Sequence, residues 1–320
     1  MKILFVTATR IGDAVLSTGL LRYLIERYPG AQLTIAAGPL AAPLFGEVPG
    51  LARLIVVEKR ARGLHWLSLY GQVAATRWDL AVDLRGSALT YLLWARERRV
   101  MGKGNPDEHR VHQVARLFDL EPPPSPKLWI GARHVAAAAA LISPSATVLA
   151  IGPAANWPRK EWRAARFAEL AARLTAPQGS LPGAQVAVMA AAHERAQAAP
   201  VIAALPRDRV VDLVGKVDLL TAAAILRNAA LFVGNDTGLM HVAAASGAPT
   251  LGLFGPSNVK EYAPWGPRAA YVQTALSYWE LYKPGWHLTP ADSSMMDSLS
   301  VEMAEDGARA LLGRIKGEAA

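Results

Sequence analysis

Cysteine is missing altogether from the 320 residues. Its absence excludes disulfides, thiolate zinc sites, iron–sulfur clusters and a thiol nucleophile together. Charge is sparse, at 19% of residues against 52% hydrophobic, a balance incompatible with a disordered chain. Acids are the scarcer sign: 26 Asp and Glu stand against 34 Lys and Arg, for a formal net charge of +8. That surplus suits an anionic partner such as a nucleotide, a phosphorylated glycan or a lipid surface. Long apolar runs are lacking too. The two most apolar stretches, Val135–Ile151 and Leu219–Val233, are cut by Ser143, Pro144 and Ser145 and by Arg227, short of the roughly 18 unbroken residues a spanning helix needs. The run Ile3–Ala8 leads directly into Arg10 and Asp13 and does not read as a signal peptide. A soluble, cytoplasmic protein is the expectation.

Several ligand motifs are also absent. The first strand–helix junction, TATRIGDAVLS, has one glycine where a dinucleotide fingerprint has three, and no P-loop occurs anywhere. The seven histidines show no H-x-x-x-H or H-E-x-x-H spacing, so no metal site is expected. No G-x-S-x-G elbow supports a serine triad. Helix-turn-helix, RNP and zinc-finger patterns are missing, which sets nucleic acid aside as a partner despite the positive charge.

What is present is an alternation of short apolar runs and amphipathic stretches. Strands are expected at Ile3–Ala8, Leu33–Ala37, Leu54–Val57 and Leu80–Leu84. Helical patterns fall at His65–Arg77, Ala88–Arg96 and Val111–Leu120. After the stiff run EPPPSP (Glu121–Pro126) and an alanine-rich helix at Val135–Ile142, the alternation restarts. Its strands are Val148–Ile151, Gln185–Met189, Val210–Asp212, Leu231–Gly234 and Thr250–Leu253. Strands alternating with helices imply parallel sheets covered on both faces. The reading is α/β, with two Rossmann-like halves: residues 1–141, residues 142–302, and a last helix in 303–320.

Open parallel sheets bind ligands where strands end and helices begin, which singles out three places. Asp13 follows the first strand. It either complements the helix dipole or acts as a general base on a hydroxyl. Asn235–Gly238 joins a strand to a small-residue helix, whose free N–H groups suit a phosphate. Thr237 adds a hydroxyl there, and His241 returns to the same face one turn deeper. Asp236 and Thr237 could instead be ordinary caps and His241 a core residue. Lys160, in NWPRKEW, could neutralise a departing diphosphate or be a solvated loop lysine. Glu194 could meet a ribose or merely favour a helix start, while Trp157 and Trp162 are expected to pack.

Taken together, these motifs resemble glycosyltransferase family 9, the ADP-heptose:lipopolysaccharide heptosyltransferases. The similar stretches are Arg10–Asp13 (RIGD), Asp79–Leu93, Lys160–Leu170, Asn235–Ala243 (NDTGLMHVA) and Leu253–Pro256 (LFGP). They span nearly the whole chain in matching order. The resemblance implies a GT-B fold, two Rossmann-like domains with parallel sheets facing a central cleft, and a terminal helix packing back on the first domain. It implies an inverting transfer that needs no metal and no cofactor, the nucleotide-sugar donor being a co-substrate. By the same analogy Asp13 is the base. Lys160, Thr237 and Gly238 hold the diphosphate, Asp236 and His241 line the donor pocket, Glu194 is near the ribose and Val217 meets the adenine.

The expected acceptor is an anionic glycolipid of the lipopolysaccharide core, met by Arg10, Arg60 and Arg62, with peripheral association at the inner membrane face. Another nucleotide sugar with a different acceptor, or a non-catalytic sugar-binding scaffold, are the alternatives; oligomeric state is not legible. The sequence departs from the family at Gly19, where proline is usual, at Ser257–Asn258, and across Tyr278–Ser298 with Trp279, Trp286, Met295 and Met296.

Overall fold

Buried apolar runs set the two central sheets of the protein. A computed structural model describes residues 1–282 and 293–318. The chain divides into two units, Met1–Gly131 and Ala132–Ala320. The first carries β1 (Lys2–Val6), α1 (Ile11–Arg27), β2 (Gln32–Ala37), β3 (Leu51–Val56), α2 (Leu64–Val73), β4 (Trp78–Asp83), α3 (Leu89–Leu92), β5 (Ala95–Val100) and α4 (Arg110–Ala115). The strands form one parallel sheet in the order β3-β2-β1-β4-β5. Central β1 buries Ile3, Leu4, Phe5 and Val6 completely or nearly so, as expected of a strand covered on both faces.

Helix α1 is buried on all sides from Ala14 to Leu21, including the hydroxyls of Ser17 and Thr18. Neither hydroxyl is stranded. Ser17 donates to the Ala14 carbonyl and meets Thr7 Oγ1 at 2.9 Å, and Thr18 donates to the Val15 carbonyl. Gly19, where the family usually has proline, has a packing reason. A Cβ there would lie 2.0 Å from the Pro124 carbonyl oxygen, and Lys127 N donates to Thr18 Oγ1 nearby. The proline-rich stretch is thus laid along α1 and belongs to the first unit.

The second unit carries α5 (Ala132–Leu141), β6 (Val148–Gly152), α6 (Ala164–Thr175), β7 (Gln185–Val188), α7 (Arg195–Ala204), β8 (Val210–Asp212), α8 (Leu219–Arg227), β9 (Leu231–Asn235), α9 (Gly238–Ala245), β10 (Thr250–Phe254), α10 (Val259–Tyr262), β11 (Ala269–Gln273), α11 (Tyr278–Leu281) and α12 (Val301–Glu318). Its sheet is again parallel throughout, ordered β11-β10-β9-β6-β7-β8. One core joins Leu149, Ile151, Val188, Val233 and Leu253 of the strands to Trp162, Phe167 and Leu170 above them.

Two sequence expectations change. The helix read over Ala88–Arg96 is a single turn, after which Ala95–Val100 (ARERRV) forms a strand at the sheet edge. Charge suits an edge strand because it blocks further pairing, but it hides the strand from a search for apolar runs. The boundary expected after residue 141 falls after Gly131, because α5 packs with α8. Buried His134 meets Thr221 Oγ1 at 3.1 Å and Asp218 Oδ1 at 3.2 Å there. Burial alone would raise the Asp218 carboxyl, but the Thr221 N–H and hydroxyl and nearby His134 hold it below its ordinary value.

The last helix belongs to the second unit: its buried stripe Val301, Ala304, Ala308 and Leu311 joins that unit's core. Gly307 comes so close to Val272 of β11 that a Cβ would sit 2.4 Å from Val272 Cγ2. Arg173 of α6 ties the helix down through Glu302 at 2.8 Å and Glu305 at 3.2 Å. Among the described residues, no helix is long and apolar enough to cross a membrane.

Candidate functional site

Strand order decides which loops meet. In the second sheet β6 and β9 are direct neighbours, with Gly152 opposite Gly234, and the order reverses between them. The loops leaving these two strands therefore open at a topological switch point, where open parallel sheets take ligands. The loop after β6 carries Lys160; the loop after β9 carries Asp236 and Thr237. Residues 76 positions apart are brought into contact: Lys160 Nζ donates to Asp236 Oδ2 at 2.7 Å. The Asp236 side chain is 9% exposed and that of Lys160 23%, so the pair is partly shielded from water.

Asn235 makes this arrangement rigid. Fully buried at the end of β9, its side-chain N–H donates to the Pro153 carbonyl at 2.7 Å. Its Oδ1 accepts from Trp162 N at 3.1 Å. Both partners lie in the loop that carries Lys160, so one amide pins both ends of that loop. Trp162, as expected, packs: its ring is 2% exposed and edge-on to Phe167, and its Nε1 donates to the Leu299 carbonyl. The sequence places Asn235 in the NDTG run but gives it no role of its own, because its partners are set only by β6 and β9 being neighbours.

Thr237 occupies the N-cap position of α9 in extended backbone, but its side chain makes no capping bond. The helix start is left without a side-chain acceptor, and its positive dipole end and N–H groups face the loop. A reading of Thr237 as an ordinary cap is therefore not what the geometry gives. His241 is buried, with Nε2 4.0 Å from Asp236 Oδ1. Gly238 begins the helix. At the end of adjacent β10, Ser257 is also buried, and its hydroxyl has no hydrogen-bond partner among the described residues.

Glu194 and Val217 lie further along the same sheet. The Glu194 carboxylate accepts from Ala191 N at 2.8 Å, closing its own loop after β7. Val217, half-buried, immediately precedes Asp218, which caps α8 through Thr221 N at 2.7 Å. Glu161, beside Lys160, is unusual. Burial, and then the charge of Glu194, push its carboxyl above the ordinary value. Gln197 Nε2 donates to it.

In the first unit, Asp13 lies in the first turn of α1, just after central β1 and hence beside the switch point between β1 and β4. Its side chain is 19% exposed, and the Arg110 Nε of α4 lies 3.7 Å from Oδ1. That oxygen is buried and accepts no hydrogen bond among the described residues. Arg110 was not singled out by the sequence; only the packing of α4 on α1 brings it there. Arg10 is exposed at the N-cap of α1 without a capping bond. Arg60 and Arg62 are exposed before α2, Arg62 in left-handed backbone at φ 52°. Arg60 lines a cavity of ≈ 260 Å³ with Glu58, His65, Ser68 and Gln72.

Among the described residues no three His, Asp or Glu side chains gather as a cation site. The divergent segment divides. Met296 is in the second unit's core, Met295 N donates to the Arg159 carbonyl, and Trp279 is exposed. Trp286 lies outside the described residues.

Lipopolysaccharide heptosyltransferase 2 of Salmonella typhimurium is 25% identical, aligned over 96% of this chain and 100% of that protein. Among solved structures, a glycosyl transferase family 9 protein from Veillonella parvula superposes with a TM-score of 0.77 at 19% identity, covering 97% of each chain. The ADP-heptose lps heptosyltransferase II of E. coli superposes at 0.76 with 22% identity, covering 99% of this chain and 100% of that one. These likenesses carry the fold, the α/β GT-B architecture of two Rossmann-like domains. The model of glycosyltransferase family 9 (heptosyltransferase) matches residues 68–282, a span that includes Lys160, Glu194, Val217 and the Asp236–His241 run and begins after Asp13. The chain belongs to glycosyltransferase family 9.

Proposed function

We propose that this protein transfers heptose from ADP-heptose to a lipopolysaccharide core acceptor, with inversion at the anomeric carbon. The observation that carries the reading is the Lys160–Asp236 contact at the head of α9, whose first turn has no side-chain cap. A cation, a hydroxyl and uncommitted N–H groups at one helix start are what a leaving diphosphate requires. The family match and the heptosyltransferase name of the Salmonella relative supply the sugar and the acceptor class.

In this mechanism Asp13 accepts the proton of the attacking acceptor hydroxyl as the new bond to the anomeric carbon forms. The bond from that carbon to the diphosphate oxygen breaks on the opposite side, which inverts the centre. Lys160, the Thr237 hydroxyl and the N–H groups at Gly238 take up the charge of the released ADP. That positive charge is supplied by side chain and helix, so the reading needs no metal ion and no cofactor. Asp236 and His241 shape the pocket, Glu194 binds the ribose and Val217 contacts the adenine. Arg10, Arg60 and Arg62 meet the anionic sugars of the glycolipid at the cytoplasmic membrane face.

The test is transfer from ADP-heptose to a lipid-linked core acceptor in the presence of a metal chelator. The expected result is transfer by the wild type and a loss of about 10²–10⁴-fold in Asp13→Asn, the range for removing a general base. Faster transfer from another nucleotide sugar, or an Asp13→Asn variant as active as wild type, would overturn the reading.

A further inference from the structure

The face of the first sheet covered by α2 and α3 has an unusual exterior. Inward, Leu69 and Val73 of α2 and Leu89 and Leu93 around α3 pack on Leu4, Val6, Ile55 and Ala81 of the strands, so both helices lie on one side of the sheet. Outward, Leu64 and Leu67 of α2, Tyr91 and Leu92 of α3, and Trp94 are between 53% and 69% exposed. Scattered apolar residues on a surface need no explanation, but five large ones on two neighbouring elements do.

The charge of the same segment is largely of one sign. From residue 58 to 97 stand Lys59, Arg60, Arg62, Arg77, Arg85 and Arg96, against Glu58, Asp79, Asp83 and Glu97. Glu58 is exposed and Glu97 pairs with Arg99, but the two aspartates do not answer this charge at the surface. Asp83 is fully buried and accepts from Arg85 N, Ser87 and Thr90. Asp79, half-buried, accepts from Lys2 N. Two of the arginines lie over aromatic rings of this face: Arg77 over Trp94 at 3.7 Å and Arg85 over Trp66 at 5.1 Å. Arg98 of β5 donates to the Thr90 and Leu93 carbonyls at the end of α3.

Aliphatic and aromatic side chains projecting among basic residues that outnumber the exposed carboxylates match the two layers of an anionic membrane surface. Apolar groups enter the acyl boundary, indole and phenol rings sit at the headgroup level, and guanidinium groups reach phosphates. We infer that the α2–α3 face of the first unit is a docking surface for an anionic lipid bilayer. Its biological purpose rests on the proposed glycolipid acceptor, whereas the binding itself needs only this face.

The test is sedimentation of the full-length protein with vesicles of phosphatidylcholine alone or mixed with phosphatidylglycerol. Binding to the mixed vesicles, weakened by salt, is expected. Arg96→Ala should lower the partition coefficient about fivefold, the contribution of one basic residue near such a surface. The double variant Leu67→Glu, Leu92→Glu should lower it more than about tenfold through lost apolar burial. Trp279→Ala, altering an exposed tryptophan of the second unit, should bind as wild type. ADP titration of each variant reports separately on its folding and on the transferase reading. The inference is overturned if wild type ignores the mixed vesicles at low salt, binds pure phosphatidylcholine as well, or is unaffected by the double variant. It is equally overturned if the face proves to pair two copies of the chain, seen as a dimer in solution that the double variant dissociates.

Discussion

Lys160 Nζ donates to Asp236 Oδ2 at 2.7 Å. In the proposed donor site, a diphosphate would therefore share this cation with a carboxylate. The two residues should then behave as a coupled pair in ADP binding, not as independent contacts. Lys160→Ala is expected to weaken ADP by about 1.5–3 kcal/mol, the range for a charged hydrogen bond. In the Asp236→Ala background the same change should cost a different amount. A double-mutant cycle by calorimetry measures the difference, and strict additivity would show that the pair does not act together at the donor.

Asn235 holds the Lys160 loop from both ends through Pro153 and Trp162. Asn235→Ala leaves two buried backbone groups without partners, at about 1–3 kcal/mol each. Thermal unfolding should show a markedly lower Tm. Asn235→Asp keeps the acceptor but sets a fully buried carboxylate oxygen against the Pro153 carbonyl, and should lower the Tm at least as far. Equal Tm values for all three proteins would remove the clamp from the account.

Gly19 is a packing requirement of the first unit. Alanine there would press its Cβ to 2.0 Å from the Pro124 carbonyl, and a backbone group cannot swing aside as a side chain can. Gly19→Ala is expected to cost about 1–3 kcal/mol, read as a lower unfolding midpoint, with ADP binding unaltered. A neutral effect on the midpoint would contradict the close approach.

Glu161 gives a pH signature of definite sign. Burial and Glu194 raise its carboxyl in the folded chain, so the folded state binds this proton more tightly than the unfolded state does. Glu161 is then without penalty below its ordinary value and destabilises once pH passes the raised one. Glu161→Gln removes the charge but retains an acceptor for Gln197. It should unfold at a higher temperature than wild type at about pH 8 and at the same temperature at about pH 4. The opposite trend would contradict the assignment of cause. By contrast Asp297, held low first by its bond to Arg163, contributes stability that is lost only as pH falls through its depressed value.

The sequence reveals strands in proportion to their burial. β1, β2, β4, β6, β9 and β10 read as apolar runs because both faces are covered. All four edge strands, β3, β5, β8 and β11, lie outside that set; β3 and β8 still show through their short apolar runs Leu54–Val57 and Val210–Val211. ARERRV reads as a charge run and AAYVQ passes unnoticed, because an edge strand does not need two apolar faces. Site legibility followed the same logic. Lys160, Asp236, Thr237 and His241 lie next to buried strands with clear ends, and the structure brings Lys160 and Asp236 together as hydrogen-bond partners. Asn235 and Arg110 act through neighbours set by strand order and by helix packing, which no local pattern encodes.

The central claim is that the β6 and β9 loops of the second unit form the donor diphosphate site. Its most direct test is a calorimetric titration of ADP into the wild-type protein and into Lys160→Ala, with UDP and GDP as competitors. The account predicts selective binding of ADP by the wild type and a loss of at least about tenfold in the variant. Binding that prefers UDP or GDP, or ADP binding that is the same in both proteins, would contradict it.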